Sequence, residues 1–198
     1  MSWLRSSFIN SEGPFMDPEK FREGLGRIHS SVKKVLSRID EKKTAEFIHS
    51  ISSSRRIFLS GQGRSGFIAR CFAMRLMHLG FSSYVVGETI TPGIGEKDLL
   101  IMCSCSGRKH VTLELARQAR QSKAGVFVLT ASRESPLARL AHHLIFFSLV
   151  SEKGASTDAL GSLFEWSLFL YLEGVVLFLM KKMEISEEDM LRRHTNLE

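Results

Sequence analysis

Two short turns carry the residues best suited to hold an anion. The first, Ser60-Gly-Gln-Gly-Arg-Ser-Gly66, follows the apolar run Arg56-Ile-Phe-Leu-Ser60 and precedes a helical pattern from Phe67 to Leu79. A strand, a glycine-rich turn and a helix in that order present backbone N–H groups and a positive helix end to an anion. The second turn, Ser104-Cys-Ser-Gly107, lies between the apolar run Asp98-Leu-Leu-Ile-Met-Cys103 and a helical pattern from Lys109 to Ser122. Two such turns at the carboxyl ends of two strands can converge on one phosphate, which points to a phosphorylated small molecule. Gly61, Gly63 and Gly66 allow tight turning and close approach of a ligand. The spacing matches neither G-x-G-x-x-G nor the P-loop, so neither a dinucleotide nor ATP is indicated.

Ser65 stands at the start of its helix, where it either caps that helix or donates to a phosphate. Arg64 either pairs with a phosphate or points to water. Ser104, Ser106 and the N–H groups of Gly107 to Lys109 would form an anion nest. Lys109 near a helix N-terminus opposes the helix dipole, a cost that a bound phosphate would offset. Glu165 lies in an apolar helical pattern, Leu160-Gly-Ser-Leu-Phe-Glu-Trp-Ser-Leu-Phe-Leu170. It is either a solvent-facing position or a partly buried base. His194, close to the end, is either solvated or functional. His29, His49, His78, His110, His142 and His143 have no ligand spacing, and no metal constellation is expected.

These residues need a scaffold. Ile57–Ser60, Ser83–Gly87, Leu99–Cys103, Val126–Thr130 and His143–Phe147 read as strands, with helices near 65–79, 109–122 and 136–142 between them. Continuous apolar strands joined by helices predict a parallel sheet covered on both faces. Ligands in such folds bind beyond the carboxyl ends of the strands. Two helices precede the sheet. Asp17 caps the first, with Pro18 at its first position and apolar residues recurring to Ile39; the second runs from about Lys42 to Ile51. A polar loop is expected at 151–159, a long apolar helix near 160–183, and a short helix capped at Ser186. Residues 1–17 read as a flexible arm and 18–198 as one domain. Within it, 18–52 form the N-terminal helices, 56–150 the α/β core, and 160–198 the C-terminal helices and tail.

With 198 residues, 43% hydrophobic and 24% charged, the composition suits one globular domain. No apolar run reaches the roughly 18–20 residues of a membrane span, because Glu173 interrupts Leu168 to Met180. Cys71, Cys103 and Cys105 fit neither a zinc site nor a CxxC motif and read as reduced thiols in a cytoplasmic protein. The net charge of +6 suits an anionic metabolite. No aromatic-basic stripe supports nucleic acid, and no membrane partner is expected.

Four stretches carry a more specific signal: Gly61-x-Gly-Arg-Ser-Gly66, Phe72-Ala-Met-Arg-Leu-Met-His-Leu-Gly80, Val85-Val-Gly-Glu-Thr-Ile-Thr-Pro92 and Arg193-His-x-Asn-Leu-Glu198. Together they closely resemble the 6-phospho-3-hexuloisomerase family of the sugar isomerase (SIS) superfamily, over about residues 18–198. The resemblance implies an α/β fold: a flavodoxin-like three-layer αβα sandwich with a five-stranded parallel sheet. It implies a homotetramer with sites at subunit interfaces. It also implies interconversion of D-arabino-hex-3-ulose 6-phosphate and D-fructose 6-phosphate through an enediol, without metal or cofactor. That step belongs to the ribulose monophosphate pathway, which links it to 3-hexulose-6-phosphate synthase.

By position, the resemblance makes Ser65, Ser104 and Ser106 phosphate ligands, Glu165 the general base and His194 a proton-transfer or ring-opening group. It adds Gly63, Arg64, Lys109, Glu88 and Thr89 to the substrate-binding set. The second turn departs from the family's Ser-Gly-Ser-Gly-Glu-Thr. Here Cys105 replaces a glycine, Arg108 an acid and Lys109 a threonine. Lys109 would then substitute as a phosphate ligand. Two other readings stay open: a non-catalytic sugar-phosphate-binding regulator, and an isomerase of a different sugar phosphate.

Overall fold

The computed structural model describes residues 16–149 and 162–197. Helix α1 (Pro18–Leu36) starts where Asp17 Oδ1 accepts the Glu19 and Lys20 N–H groups at 3.0 and 3.3 Å. Asp40 starts α2 (Glu41–Ser53) in the same way. Both carboxylates satisfy N–H groups that a helix start leaves open. Then follow β1 (Ile57–Gly61), α3 (Arg64–His78), β2 (Ser83–Val85), β3 (Leu99–Cys103), α4 (His110–Gln121), β4 (Gly125–Thr130), α5 (Pro136–Leu140), β5 (His143–Phe146), α6 (Ser162–Lys182) and α7 (Glu187–Arg192).

The five strands form one sheet, in the order β2-β1-β3-β4-β5, with every pair parallel. Side chains alternate between its faces because a strand has a period of two. Ile57, Leu59, Leu99, Ile101, Phe127 and Leu129 point into the larger core, where α1, α2, α3 and α6 pack. Phe58, Leu100, Met102, Val126 and Val128 point into a smaller one under α4 and α5. Both faces are covered, which is why these strands read as unbroken apolar runs. The chain runs from β1 outward to β2, then returns past β1 to β3. That reversal opens a crevice at the carboxyl ends of β1 and β3.

Several boundaries differ from the sequence reading. β2 stops at Val85 because the chain turns there, with Gly87 at φ +96° and the Thr91 hydroxyl bonded to the Val85 carbonyl. α1 ends at Leu36, so Ile39 lies in the connection to α2. α5 ends at Leu140, and His142 lies outside it. By length and composition α6 is apolar enough to cross a membrane, which corrects the expectation that no stretch reaches that size. However, 56% of its most apolar window is buried against the rest of the fold. Its Leu168, Tyr171, Leu172, Val175 and Leu179 belong to the larger core. The polar loop at 151–159 and nearly all of the arm at 1–17 lie outside the described residues.

Candidate active site

The first turn is built on a close approach between strand and helix. A Cβ placed on Gly66 would sit 2.6 Å from the Gly61 carbonyl oxygen, so only glycine lets α3 start this near the end of β1. Gly63, at φ +59°, is the N-cap of α3, and no side chain caps it. Ser65 is therefore not the cap, which corrects that half of its sequence reading. It sits inside the first turn of α3, with 6% of its surface exposed.

Its hydroxyl donates instead to Glu165 Oε1 at 2.8 Å, across a hundred residues of chain. Glu165 is 8% exposed and occupies the first turn of α6, where the helix dipole favours a negative charge. Its other oxygen, Oε2, accepts no hydrogen bond among the described residues. Burial pushes the half-buried Cys105 thiol up, and the nearby Glu165 charge pushes it further. Cys105 thus stays a neutral thiol beside the carboxylate and adds no second charge.

The second turn leaves the sheet next to the first, because Gly61 and Cys103 are paired partners at the ends of β1 and β3. It is pinned from within. Ser104 Oγ accepts the Gly107 N–H at 3.2 Å, while the Cys105 carbonyl accepts the Ala131 N–H and the Thr130 hydroxyl, each at 3.1 Å. Gly107 has φ +61°, and a Cβ there would lie 2.2 Å from Ser135 Oγ. The turn thus tolerates no side chain at that position. Because the Ser104 oxygen acts as acceptor, its own proton remains available for a ligand.

Ser106, Arg108 and Lys109 are exposed, and Lys109 is the N-cap of α4 without a side-chain cap. Arg64, Arg108 and Lys109 have no ion-pair partner among the described residues. The N-termini of α3 and α4 thus follow the carboxyl ends of β1 and β3, Arg64, Arg108 and Lys109 stand exposed at those helix starts, and Glu165 is hydrogen-bonded to Ser65 in the first turn of α3. Such an arrangement can attract an anion and can offer a carboxylate to accept a proton. Among the described residues no three His, Cys, Asp or Glu side chains are grouped to hold a metal ion.

Not every predicted residue comes to this crevice. Glu88 and Thr89 follow β2 at the same end of the sheet and are exposed like Ser106 and Lys109, and the Glu88 carboxylate is taken up by an ion pair with Arg70 of α3. His194 is remote. It stacks on His78 at the far end of α3, with ring centroids 5.2 Å apart, while Arg193 donates to the His78 carbonyl at 3.1 Å. From Ser65 to His78 the helix rises about 20 Å, so His194 does not reach Glu165 of its own chain. The Ser65–Glu165 bond is what sequence reasoning missed. No local pattern links two residues this far apart. The one signal was Glu165 itself, a carboxylate set in an apolar helical run.

The family model for the SIS domain matches residues 50–167. A protein of Bacillus subtilis called 3-hexulose-6-phosphate isomerase is 37% identical, over 91% of this chain and 98% of its own length. A protein of the same description from Methanocaldococcus jannaschii is 36% identical, over 79% of this chain and 85% of its own. A crystal structure from Methanococcus jannaschii, for which a molecular function of 3-hexulose-6-phosphate isomerase is inferred, superposes with a TM-score of 0.78. It is 35% identical and covers 91% of this chain and 99% of that one.

Proposed function

The chain belongs to the SIS domain family, and from that premise we propose that it interconverts D-arabino-hex-3-ulose 6-phosphate and D-fructose 6-phosphate. The observation that carries this reading is the buried Glu165, whose Oε2 accepts no hydrogen bond among the described residues, joined through Ser65 to the first of the two glycine-serine turns. The described relatives support the choice of sugar.

In this reading the phosphate rests on the Ser104–Lys109 turn. Ser104 and Ser106 donate hydroxyl protons, and Lys109 and Arg64 neutralise charge. Gly63, at φ +59°, lets the first turn approach the ligand closely. Binding at the phosphate fixes the sugar carbons without touching them, which converts remote binding energy into orientation. Glu165 takes the C2 proton of the 3-ketose, which the C3 carbonyl acidifies. The resulting enediol across C2 and C3 takes the proton back at C3 as the carbonyl forms at C2. A positioned carboxylate typically contributes about 10²–10⁴-fold to such a step.

His194 acts in this scheme from a neighbouring copy. Exposed apolar side chains support such an assembly: Phe21 and Leu25 on α1, Phe67 and Met74 on α3, Phe169 and Phe178 on α6. A homotetramer with sites at its interfaces is part of the proposal. So is a place after 3-hexulose-6-phosphate synthase in the ribulose monophosphate pathway. The cationic Arg108-Lys109 turn favours one alternative, a different sugar phosphate as substrate. Incubation with [3-¹³C]fructose 6-phosphate separates the two. Movement of the label from the secondary-alcohol to the ketone region of the ¹³C spectrum is expected. An aldose whose label stays in the secondary-alcohol region, or no conversion, would overturn the assignment.

A further inference from the structure

We infer that Ser65 is a positioning residue for the base Glu165 and not a ligand of the substrate phosphate. The inference rests on the function proposed above and departs from the role that family resemblance gives Ser65. A serine hydroxyl carries one proton, and here it is donated to Glu165 Oε1 at 2.8 Å. Both partners are buried, so water does not compete for it. The backbone that carries Ser65 is fixed, because Gly61 and Gly66 meet too closely for α3 to shift. The phosphate has other donors. Ser104 keeps its proton free while its oxygen accepts the Gly107 N–H, and Ser106 and Lys109 are exposed on the same turn.

The bond has a chemical consequence. An unrestrained glutamate samples several rotamers and presents either oxygen. With Oε1 tied to Ser65, only Oε2 faces the crevice, and the carboxylate plane is set before substrate arrives. Ser65 therefore acts through Glu165 and through no atom of the sugar.

The test compares Ser65→Ala, Ser65→Thr, Glu165→Gln and the double variant Ser65→Ala/Glu165→Gln. The readouts are kcat, KM for fructose 6-phosphate, and the affinity for inorganic phosphate by titration calorimetry. Ser65→Ala is expected to lower kcat about ten- to a hundredfold, with KM and phosphate affinity within about twofold of the unaltered protein. Ser65→Thr, which keeps a hydroxyl, is expected to recover most of the loss. In the Glu165→Gln background, Ser65→Ala is expected to cost nothing further, because the two act as a unit. A tenfold loss of phosphate affinity with kcat retained would overturn the inference, as would additive losses in the double variant. Should Ser65→Ala fail to fold, Ser65→Cys keeps the volume while weakening the donor, and the same outcomes decide. If the unaltered protein does not turn over fructose 6-phosphate, the functional reading falls by itself. Phosphate affinity of Ser65→Ala then still decides between the two roles.

Discussion

Two carboxylates are buried at opposite ends of the same sheet, and they are held in opposite ways. Asp98, just before β3, has a fully buried side chain. Its oxygens accept from Arg56 at 2.6 and 3.2 Å, from Arg55 at 3.2 and 3.3 Å, and from the Gly95 N–H at 2.9 Å. Burial alone pushes the Asp98 carboxyl up. The hydrogen bonds from Arg56, Arg55 and Gly95, with the Arg56 charge, outweigh it and hold the group at about 2. Glu165, beyond the carboxyl end of β1, accepts one side-chain hydrogen bond among the described residues, and its Oε2 accepts none of them. Asp98 thus uses all its acceptor capacity to tie the starts of β1 and β3 together. Glu165 keeps the capacity that a base needs. Burial of a charge does not by itself mark a functional group; incomplete satisfaction of that charge does.

The contrast is sharpest in a crossed pair of substitutions. Glu165→Gln is expected to lower kcat about 10²–10⁴-fold while fructose 6-phosphate still binds, because it removes the base and leaves the phosphate turn intact. Steady-state kinetics and titration calorimetry check this, and retained turnover would remove Glu165 as the base. Asp98→Asn is expected to do the reverse. It leaves two arginines facing a neutral amide and costs about 3 kcal/mol, since both guanidinium groups still reach water. For a chain of this size that lowers Tm by about 10 °C, with kcat of the folded protein unchanged. A Tm within 2 °C or so of the unaltered protein would show that the tie is not structural.

A smaller effect follows from acid. The Asp98 carboxyl sits at about 2, below its usual 3.8, so its contribution is complete above about pH 4. That contribution, about 2 kcal/mol, is lost as pH falls through 2. Denaturant midpoints from pH 5 to pH 2 are expected to fall in the unaltered protein and to fall less in Asp98→Asn. Parallel curves would show that other groups govern acid stability. The smallest effect belongs to the rim of the site. Lys109 is solvated, so Lys109→Ala is expected to raise KM about two- to fivefold and to leave kcat unchanged. An unchanged KM would return Lys109 to a purely solvated role.

Much of the fold was legible in the sequence, and the contrast between the two carboxylates was not. The strands were unbroken apolar runs, and the two glycine-serine turns were placed at their ends, since local composition governs both. Asp17 and Pro18 announced the start of α1 for the same reason. What escaped was tertiary. Asp98 read as the polar start of an apolar run, and nothing local shows that Arg55 and Arg56, which precede β1, converge on it. Ser65 offered a cap and a phosphate ligand as local options, yet its partner arrives from α6. His194 belongs to a tail whose docking on α3 depends on His78 and Arg193, and that docking takes it away from its own chain's crevice. Strand β2 ended earlier than its sequence pattern because a tertiary turn intervenes at Val85.

The central claim is that the open oxygen of Glu165 removes a proton from the sugar. Its most direct test is solvent-deuterium exchange into fructose 6-phosphate, followed by NMR with the unaltered protein and with Glu165→Gln. The account predicts deuterium at C3 with the unaltered protein and exchange slowed at least about a hundredfold in Glu165→Gln, with Tm preserved. Exchange at an equal rate in both proteins, or label at C1 in place of C3, would contradict it.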